Sequence, residues 1–382
     1  MSLTLRAITL ATLSAACLAT SQAQAADVKL GFAAPLTGAQ AHYGIDMQNG
    51  LQMALDEANK QGIKLDGETA HFVLVSRDDQ ADPKTGVVVA QQLVDEHVNG
   101  ILGHFNSGTT IPASRVYHDA HLPEIAMATS PVYTAQGYDT TFRMMTSDTQ
   151  QGAAAGKFMV TVLKANKIAI IDDRTAYGQG LADEVEKAVK AAGGQVVRRE
   201  FTTDKSEDFT SILTNIKKTA PAAVFFGGVD QQSAPMKQQM IKLGIKAPLV
   251  SGEMTRSDDF IKIAGKAAEG TYASLAGVPL ETMPAGKDFA QRYEATFKQA
   301  PGVYSPYAYD GAWNMIAAMK QAGSADPAKY LPVLAKLTRK GATSGNIAYD
   351  AKGDLKEVAV TLYKVHDGKW EMVQTMVSQG NN

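Results

Sequence analysis

The stretch NGILGHFNSGTTIPASRVYHDA, residues 99–120, carries the decision about the fold. A short apolar run, Ile101-Leu102 between glycines, ends in a polar tip and passes straight into a helical pattern expected to begin near Pro112. A strand that hands over to a helix is half of a parallel crossover unit, because parallel neighbours need such a connection between them. The tip itself, GHFNSGTT, sets a histidine, an asparagine and three hydroxyls around Gly108. It reads in three ways: a nucleophile loop, a phosphate cradle, or a seat for another anion.

The same unit recurs along the chain. VKLGFAA (28–34) precedes a helix with Met47, Leu51, Ala54, Leu55 and Ala58 at helical spacing. HFVLVSRDD (71–79) precedes one opened by Asp82-Pro83, a cap residue followed by proline at the first helical position. EIAMATS (124–130) is a further strand with a polar end. From about Thr149 the rhythm restarts, with strands at 167–173, 195–201, 222–228 and 248–253 and helices at 178–192, 209–219 and 232–243. Apolar, β-branched strands alternating with helices indicate parallel sheets covered on both faces, so two series imply two doubly wound α/β domains. The end breaks the rhythm: NIAYD, EVAVTLYKVH and KWEMVQTMV read as strands, the last two forming a hairpin across Asp367-Gly368. No connecting stretch is rich in Pro, Gly or Ser, so the domains are expected to be tightly joined.

Composition narrows the function. The chain has 382 residues, 45% of them hydrophobic and 20% charged. That length exceeds one ordinary core. A net charge of -2 argues against a nucleic-acid partner. Residues 1–25 read as a secretory signal: Arg6, an apolar stretch, then Ala23-Gln24-Ala25 in A-x-A form, with the mature chain beginning at Ala26. A lipoprotein anchored at Cys17 is disfavoured, since Ser14 stands where an aliphatic residue is required. Cys17 is the one cysteine, so the mature chain has no disulfide, thiolate nucleophile or cysteine metal site.

Motifs for chemistry come close and fail. Tyr177-Gly178-Gln179-Gly180 supplies two glycines of a dinucleotide loop, but Asp183 stands at the third position and would repel a pyrophosphate. GAAAGKF (152–158) is one residue short of a phosphate loop and has Phe158 where magnesium needs a hydroxyl. His118 and His121, read at i and i+3 on a helix, lack a third metal ligand. A serine hydrolase built on His104 and Ser107 lacks G-x-S-x-G, and residues three apart at a strand end seldom form a nucleophile–base pair. His104 is therefore expected to be a packed strand-end residue. Anion binding without catalysis is left: Ser107, Gly108, Thr109 and Thr110 stand at the carboxyl end of a parallel strand, where open sheets bind ligands, with a helix dipole behind them. Simple helix capping by the same hydroxyls is the competing reading.

At this point the chain resembles the periplasmic branched-chain amino acid binding proteins, the leucine/isoleucine/valine-type receptors of ABC transporters. The resemblance rests on PLTGAQAHYG (35–44), RDDQADPKTG (77–86), LGHFNSGTTIPAS (102–114), IDDRTAYGQGLAD (171–183), FFGGVD (225–230), GEMTRSDDF (252–260) and YDAKGDLK (349–356), in that order. It implies a type I periplasmic binding protein fold: two Rossmann-like lobes joined by a three-crossing hinge, with crossings near residues 147, 277 and 356. Lobe 1 would comprise 26–147 and 277–356, and lobe 2 would comprise 148–276 and 357–382. It implies a non-catalytic monomer in the periplasm that delivers an amino acid to an inner-membrane ABC permease, with no cofactor and no metal.

The resemblance also implies ligand contacts. Ser107 and Thr129 would hold the ligand carboxylate. The Ala128 carbonyl, the Thr129 hydroxyl and Glu253 would receive the ammonium. Tyr43 and Tyr177 would cover the ligand from the two lobes, with Phe105, Gly108 and Val229 as further candidates. Asp230 stands open between helix cap and amine ligand. Two departures are visible: Ala81 and Asn106 replace a disulfide found in some members, and Val229-Asp230 replaces an aromatic pair found in some leucine receptors. An amide, urea or aromatic acid is the alternative ligand class on this fold, and a secreted hydrolase using His104 and Ser107 the alternative outside it.

Overall fold

The computed structural model describes residues 26–379; the leader read at 1–25, Cys17 included, lies outside them. The apolar runs form two parallel sheets. In the first, the strand order is Lys64–Leu65, Glu68–Asp78, Ala26–Ala34, Gly100–Gly103, Glu124–Ala126, Thr141–Arg143. All neighbours run parallel except the short Lys64–Leu65 edge. In the second, the order is Lys369–Gln379, Glu357–His366, Tyr272–Leu275, Leu249–Ser251, Ala223–Gly227, Lys167–Asp172, Gln195–Phe201. Its last five are mutually parallel, and the C-terminal hairpin is added antiparallel. Gly100–Gly103 and Ala223–Gly227 are buried along their whole length, as strands covered on both faces must be.

Setting aside the added edges, both sheets share one winding. The second strand of each series lies beside the first, and the third lies on the first strand's other side. Each sheet therefore has a switch point: between Ala26–Ala34 and Gly100–Gly103, and between Lys167–Asp172 and Ala223–Gly227. Loops leaving the carboxyl ends there open a crevice, which is where such sheets take ligands.

The chain passes between the sheets three times: between Arg143 and Asp148, after Leu275, and between Ala348 and Glu357. These passages bond to one another. The Thr146 N–H donates to the Ala276 carbonyl at 3.2 Å. The Thr146 hydroxyl donates to the Ala359 carbonyl at 2.6 Å, and the Thr361 hydroxyl to the Gly277 carbonyl at 2.9 Å. After the second passage, helices Gly286–Phe297, Ser305–Ala322 and Pro327–Leu334 return to the first sheet, where Ser305–Ala322 packs on Ala41–Gln61. The anchor is Asp46. Its buried carboxylate accepts the N–H groups of Gly302, Tyr304 and Ser305 at 2.8–2.9 Å and the Tyr293 hydroxyl at 3.1 Å. It thereby satisfies donors that a helix start leaves free. Asp46→Ala strands three backbone donors. A stability loss of about 3 kcal/mol is expected in urea titrations, and Asn, which keeps one acceptor oxygen, recovers part of it.

Two local expectations need correction. The helix after Gly103 spans Ser107–Asp119, so Pro112 lies inside it and not at its start. Proline removes a single donor, the one that would reach the Gly108 carbonyl, and the turn before it is held by Thr109 and Thr110, whose N–H and hydroxyl groups all donate to the Asn106 carbonyl. That helix ends before His121, which adopts φ 53°, so the two histidines do not share a helix face. The strand read at NIAYD is present as Asn346–Ala348, and it pairs with Thr338–Lys340 as a separate ribbon. GAAAGKF is the interior of helix Asp148–Thr161. A Cβ on Gly152 would lie 2.5 Å from that of Glu184, and one on Gly156 would lie 2.6 Å from that of Ala188. Those glycines let two helices approach closely.

Candidate functional site

The two switch points face each other, and the residues singled out in the sequence meet between them. From the first sheet, Ser107 opens its helix as the first residue after Asn106 and is 2% exposed. Its hydroxyl accepts the Ser130 N–H at 3.3 Å, which fixes the loop carrying Ala128 and Thr129 beside it. Both of those residues are buried. The Ala128 carbonyl accepts from the Arg143 guanidinium at 2.5 Å, using one of its two lone pairs. Tyr43 and Phe105 lie tilted against each other at 5.1 Å, and Tyr304 meets Phe105 edge-on at 4.8 Å, making an aromatic wall.

From the second sheet, Tyr177 lies in the first turn of helix Ala176–Ala191, where the Thr175 side chain caps the Gly178 N–H. The Tyr177 hydroxyl donates to Glu253 Oε2 at 2.9 Å. Glu253 is 3% exposed, and burial raises its carboxyl above the ordinary range, against the opposing hydrogen bonds it accepts. Burial and the adjacent Glu253 charge likewise keep the Tyr177 phenol protonated. Gly178 serves packing: a Cβ there would lie 2.2 Å from Asp173 Oδ1 and 2.5 Å from the Gly227 carbonyl. Gly108 and Val229 line opposite walls of a groove of about 470 Å³ between the sheets, together with Asn106, Tyr177 and Met254.

Several contacts bridge the two halves. The Tyr43 hydroxyl donates to the Met254 carbonyl. The Asp148 N–H donates to the Thr129 carbonyl at 2.8 Å. His42 Nε2 meets Asp230 Oδ2 at 2.9 Å, and its Nδ1 lies 3.7 Å from Asp259. Burial lowers the His42 pKa, but the Asp230 hydrogen bond and charge, with help from Asp259, raise it overall. Asp230 is fully buried at the first position of helix Asp230–Lys242, with Val229 as the cap residue. It accepts from the Gln231 N–H at 2.8 Å and the Ser257 hydroxyl at 2.6 Å as well. The question left open between cap and amine ligand thus acquires a third answer, a partner for His42.

His104 is fully buried, with Nδ1 at 2.7 Å from Asp79 and Nε2 at 3.0 Å from the Tyr117 hydroxyl. Both ring nitrogens are engaged away from Ser107, so the pair does not form the nucleophile–base contact that hydrolysis needs. His118 stacks on Tyr138 at 4.3 Å, and no cluster of metal-ligating side chains occurs among the described residues.

Comparison with known proteins bears on the family and the fold. A model described as periplasmic binding protein matches residues 27–369. The chain belongs to that family. Over 354 residues this periplasmic binding protein is 35% identical to "Leu/Ile/Val-binding protein homolog 1" of Brucella suis, covering 91% of this chain and 94% of the other. It is 34% identical over 348 residues to the "Leucine-, isoleucine-, valine-, threonine-, and alanine-binding protein" of Pseudomonas aeruginosa, covering 91% and 92%. The crystal structure of a leucine-binding protein, LivK, from Thermotoga maritima superposes with TM-score 0.85 at 25% identity, covering 91% and 98%.

Some residues of this periplasmic binding protein's cleft escaped the sequence. Asp148, fully buried at the start of helix Asp148–Thr161, faces Glu253, and burial and the Glu253 charge raise its carboxyl well above the usual range. Gln151 and Thr129 stand against both acids. Tyr304 arrives from the returning segment, more than a hundred residues from anything else in the cleft's first half. Its only sequence signal is the aromatic before Ser305-Pro306, where a helix begins.

Proposed function

We propose that the chain is a periplasmic solute-binding protein that closes on an aliphatic amino acid, in the branched-chain class, and presents it to an inner-membrane ABC permease. The observation carrying this is the polarity of the cleft. Hydroxyls and a helix start, Ser107 and Thr129, come from one sheet, and a buried acid braced by a tyrosine, Glu253 and Tyr177, comes from the other. A zwitterion is stable in a dry cleft only when both its charges are met, and this arrangement offers a donor end and an acidic end. The carboxylate sits against Ser107 and Thr129. The ammonium sits against the Ala128 carbonyl, the Thr129 hydroxyl and Glu253. Tyr43, Phe105 and Tyr177 cover the ligand, with Gly108 and Val229 at the mouth. Asp230, already engaged by His42, acts on closure. A ligand that touches both halves favours the closed form by its difference in affinity between the two forms.

The division into lobe 1 (26–147 and 277–356) and lobe 2 (148–276 and 357–382), a monomeric state and export by the leader belong to the same reading. The leader's A-x-A end and the two sheet memberships support it. A thermal-shift screen of amino acids, amides and organic acids, followed by calorimetry, tests it. Stabilisation by L-leucine, L-isoleucine or L-valine is expected, and binding confined to ligands without an amine would refute it. Ser107→Ala is expected to weaken the best ligand about tenfold or more, the loss of one hydrogen bond to a charged group.

A further inference from the structure

The amine end holds one carboxylate more than a single ammonium needs. Asp148 is fully buried and Glu253 is 3% exposed, and the same two side chains, Thr129 and Gln151, stand against both. Gln151 Nε2 donates to Asp148 Oδ1 at 3.1 Å, while Asp148 Oδ2 is buried without a partner. The Tyr304 hydroxyl, also buried and unpartnered, lies near enough to Glu253 to feel its charge. Ionisable groups around the pair include Arg143, engaged with Asp354 and the carbonyls of Ala128 and Ser130, Tyr177, whose phenol stays neutral, and Arg256, which ends the turn opened by Glu253 and lies over the Tyr363 ring at 4.5 Å. Among the described residues no Lys, Arg or His forms an ion pair with either acid, whose side-chain hydrogen bonds come from Gln151 and Tyr177. Two adjacent carboxylates in a dry site cannot both ionise at ordinary cost, and the stable arrangement keeps one proton between them.

We propose that Asp148 and Glu253 form a proton-sharing acid pair at the amine end of the cleft, and that seating a ligand ammonium expels the shared proton. This rests on the amino acid reading above. In the free protein one carboxyl keeps its O–H. When the ammonium enters, its N–H groups donate to both acids, the O–H bond breaks, and the proton passes to solvent. Asp148 is thereby a specificity residue: the end prefers a cationic amine carrying several N–H donors, and it refuses an anionic ligand twice over. Binding is coupled to pH. Below the pair's upper apparent pKa, affinity falls by about tenfold per pH unit, because each binding event must release one proton.

The pair also affects the ligand-free protein. Both carboxyls are raised in the folded state. The folded chain therefore holds more protons than the unfolded one, so the pair destabilises at high pH and that penalty is relieved as pH falls through the raised values.

The test is calorimetry of the mature chain with L-leucine, L-isoleucine and L-valine in two buffers of different ionisation enthalpy, on wild type, Asp148→Asn and Glu253→Gln. The proposal expects release approaching one proton per ligand in wild type, and release abolished in Asp148→Asn, which binds with a flatter pH profile. Enthalpies that do not depend on the buffer in wild type overturn it, as does release unchanged in Asp148→Asn. If none of the three amino acids binds, the functional reading fails, and ligand-free melting from pH 5 to 8 judges the pair alone. Wild type should gain stability on acidification relative to Asp148→Asn; parallel curves overturn the pair. Should Asp148→Asn not fold, Glu253→Gln carries the same melting comparison.

Discussion

Glu253→Gln is expected to weaken amino acid binding by about 30-fold or more while leaving the ligand-free protein as stable as wild type, or more stable, at pH 8. The two halves of that result have one cause. Glu253 is a buried acid braced by the Tyr177 hydroxyl at 2.9 Å. Removing one member of a buried, hydrogen-bonded charge pair costs about 2–5 kcal/mol, and 1.4 kcal/mol is a factor of ten in Kd. Without ligand, however, the same charge is a liability, since burial and the nearby Asp148 both oppose it. Gln keeps the shape and relieves the repulsion. Calorimetry gives the affinity and thermal melting gives the stability. An affinity within threefold of wild type would remove Glu253 from the amine end.

Arg143→Met is expected to lower stability by about 3 kcal/mol or more, because it leaves a buried set of acceptors without their donor. The side chain is fully buried and its donors are distributed over four partners. Nε donates to Asp354 at 2.8 Å, Nη1 to the carbonyls of Ala128 at 2.5 Å and Ser130 at 3.0 Å, and Nη2 to the Thr134 hydroxyl at 3.0 Å. Its backbone N–H donates to the Gly353 carbonyl at 2.9 Å. One residue thus ties the first passage between the sheets to the third and holds the loop that presents Thr129. Methionine fills much of the volume and satisfies none of these acceptors. Lys, a point charge without the planar fork, is expected to recover only part of the loss. Urea denaturation measures both, and a midpoint unchanged in Arg143→Met would show the network to be dispensable.

What was legible in the sequence was local. The β-branched strands announced buried parallel sheets. Asp82-Pro83 announced a helix start, and Asp82 indeed accepts the Thr85 N–H at 2.8 Å. Asp367-Gly368 announced the hairpin, which pairs Glu357–His366 with Lys369–Gln379. The glycines of 152–158, spaced one residue short of a phosphate loop, lie inside a helix and against a second one. What stayed hidden depends on distance along the chain. Nothing near His42 announces a partner 188 residues away in Asp230. Nothing near Asp148 announces Glu253, since a helix-opening Asp is ordinary until a second acid is found beside it. Pro112 was misplaced because proline is usually read as a helix start, and here a turn built on the Asn106 carbonyl precedes it.

The return of helix Ser305–Ala322 to the first sheet has a consequence for the order of assembly. Asp46 and Ser305, whose contact anchors that helix, are 259 residues apart. The parallel strands of the second sheet, by contrast, run without interruption from Lys167 to Leu275. Contacts that close long loops form late, and sequence-local bodies form first. As the chain emerges from its N-terminus, the first half of the molecule must wait, its core open on the Ala41–Gln61 face, until a helix from the final quarter arrives. The part made first stays unfinished until a segment made late joins it.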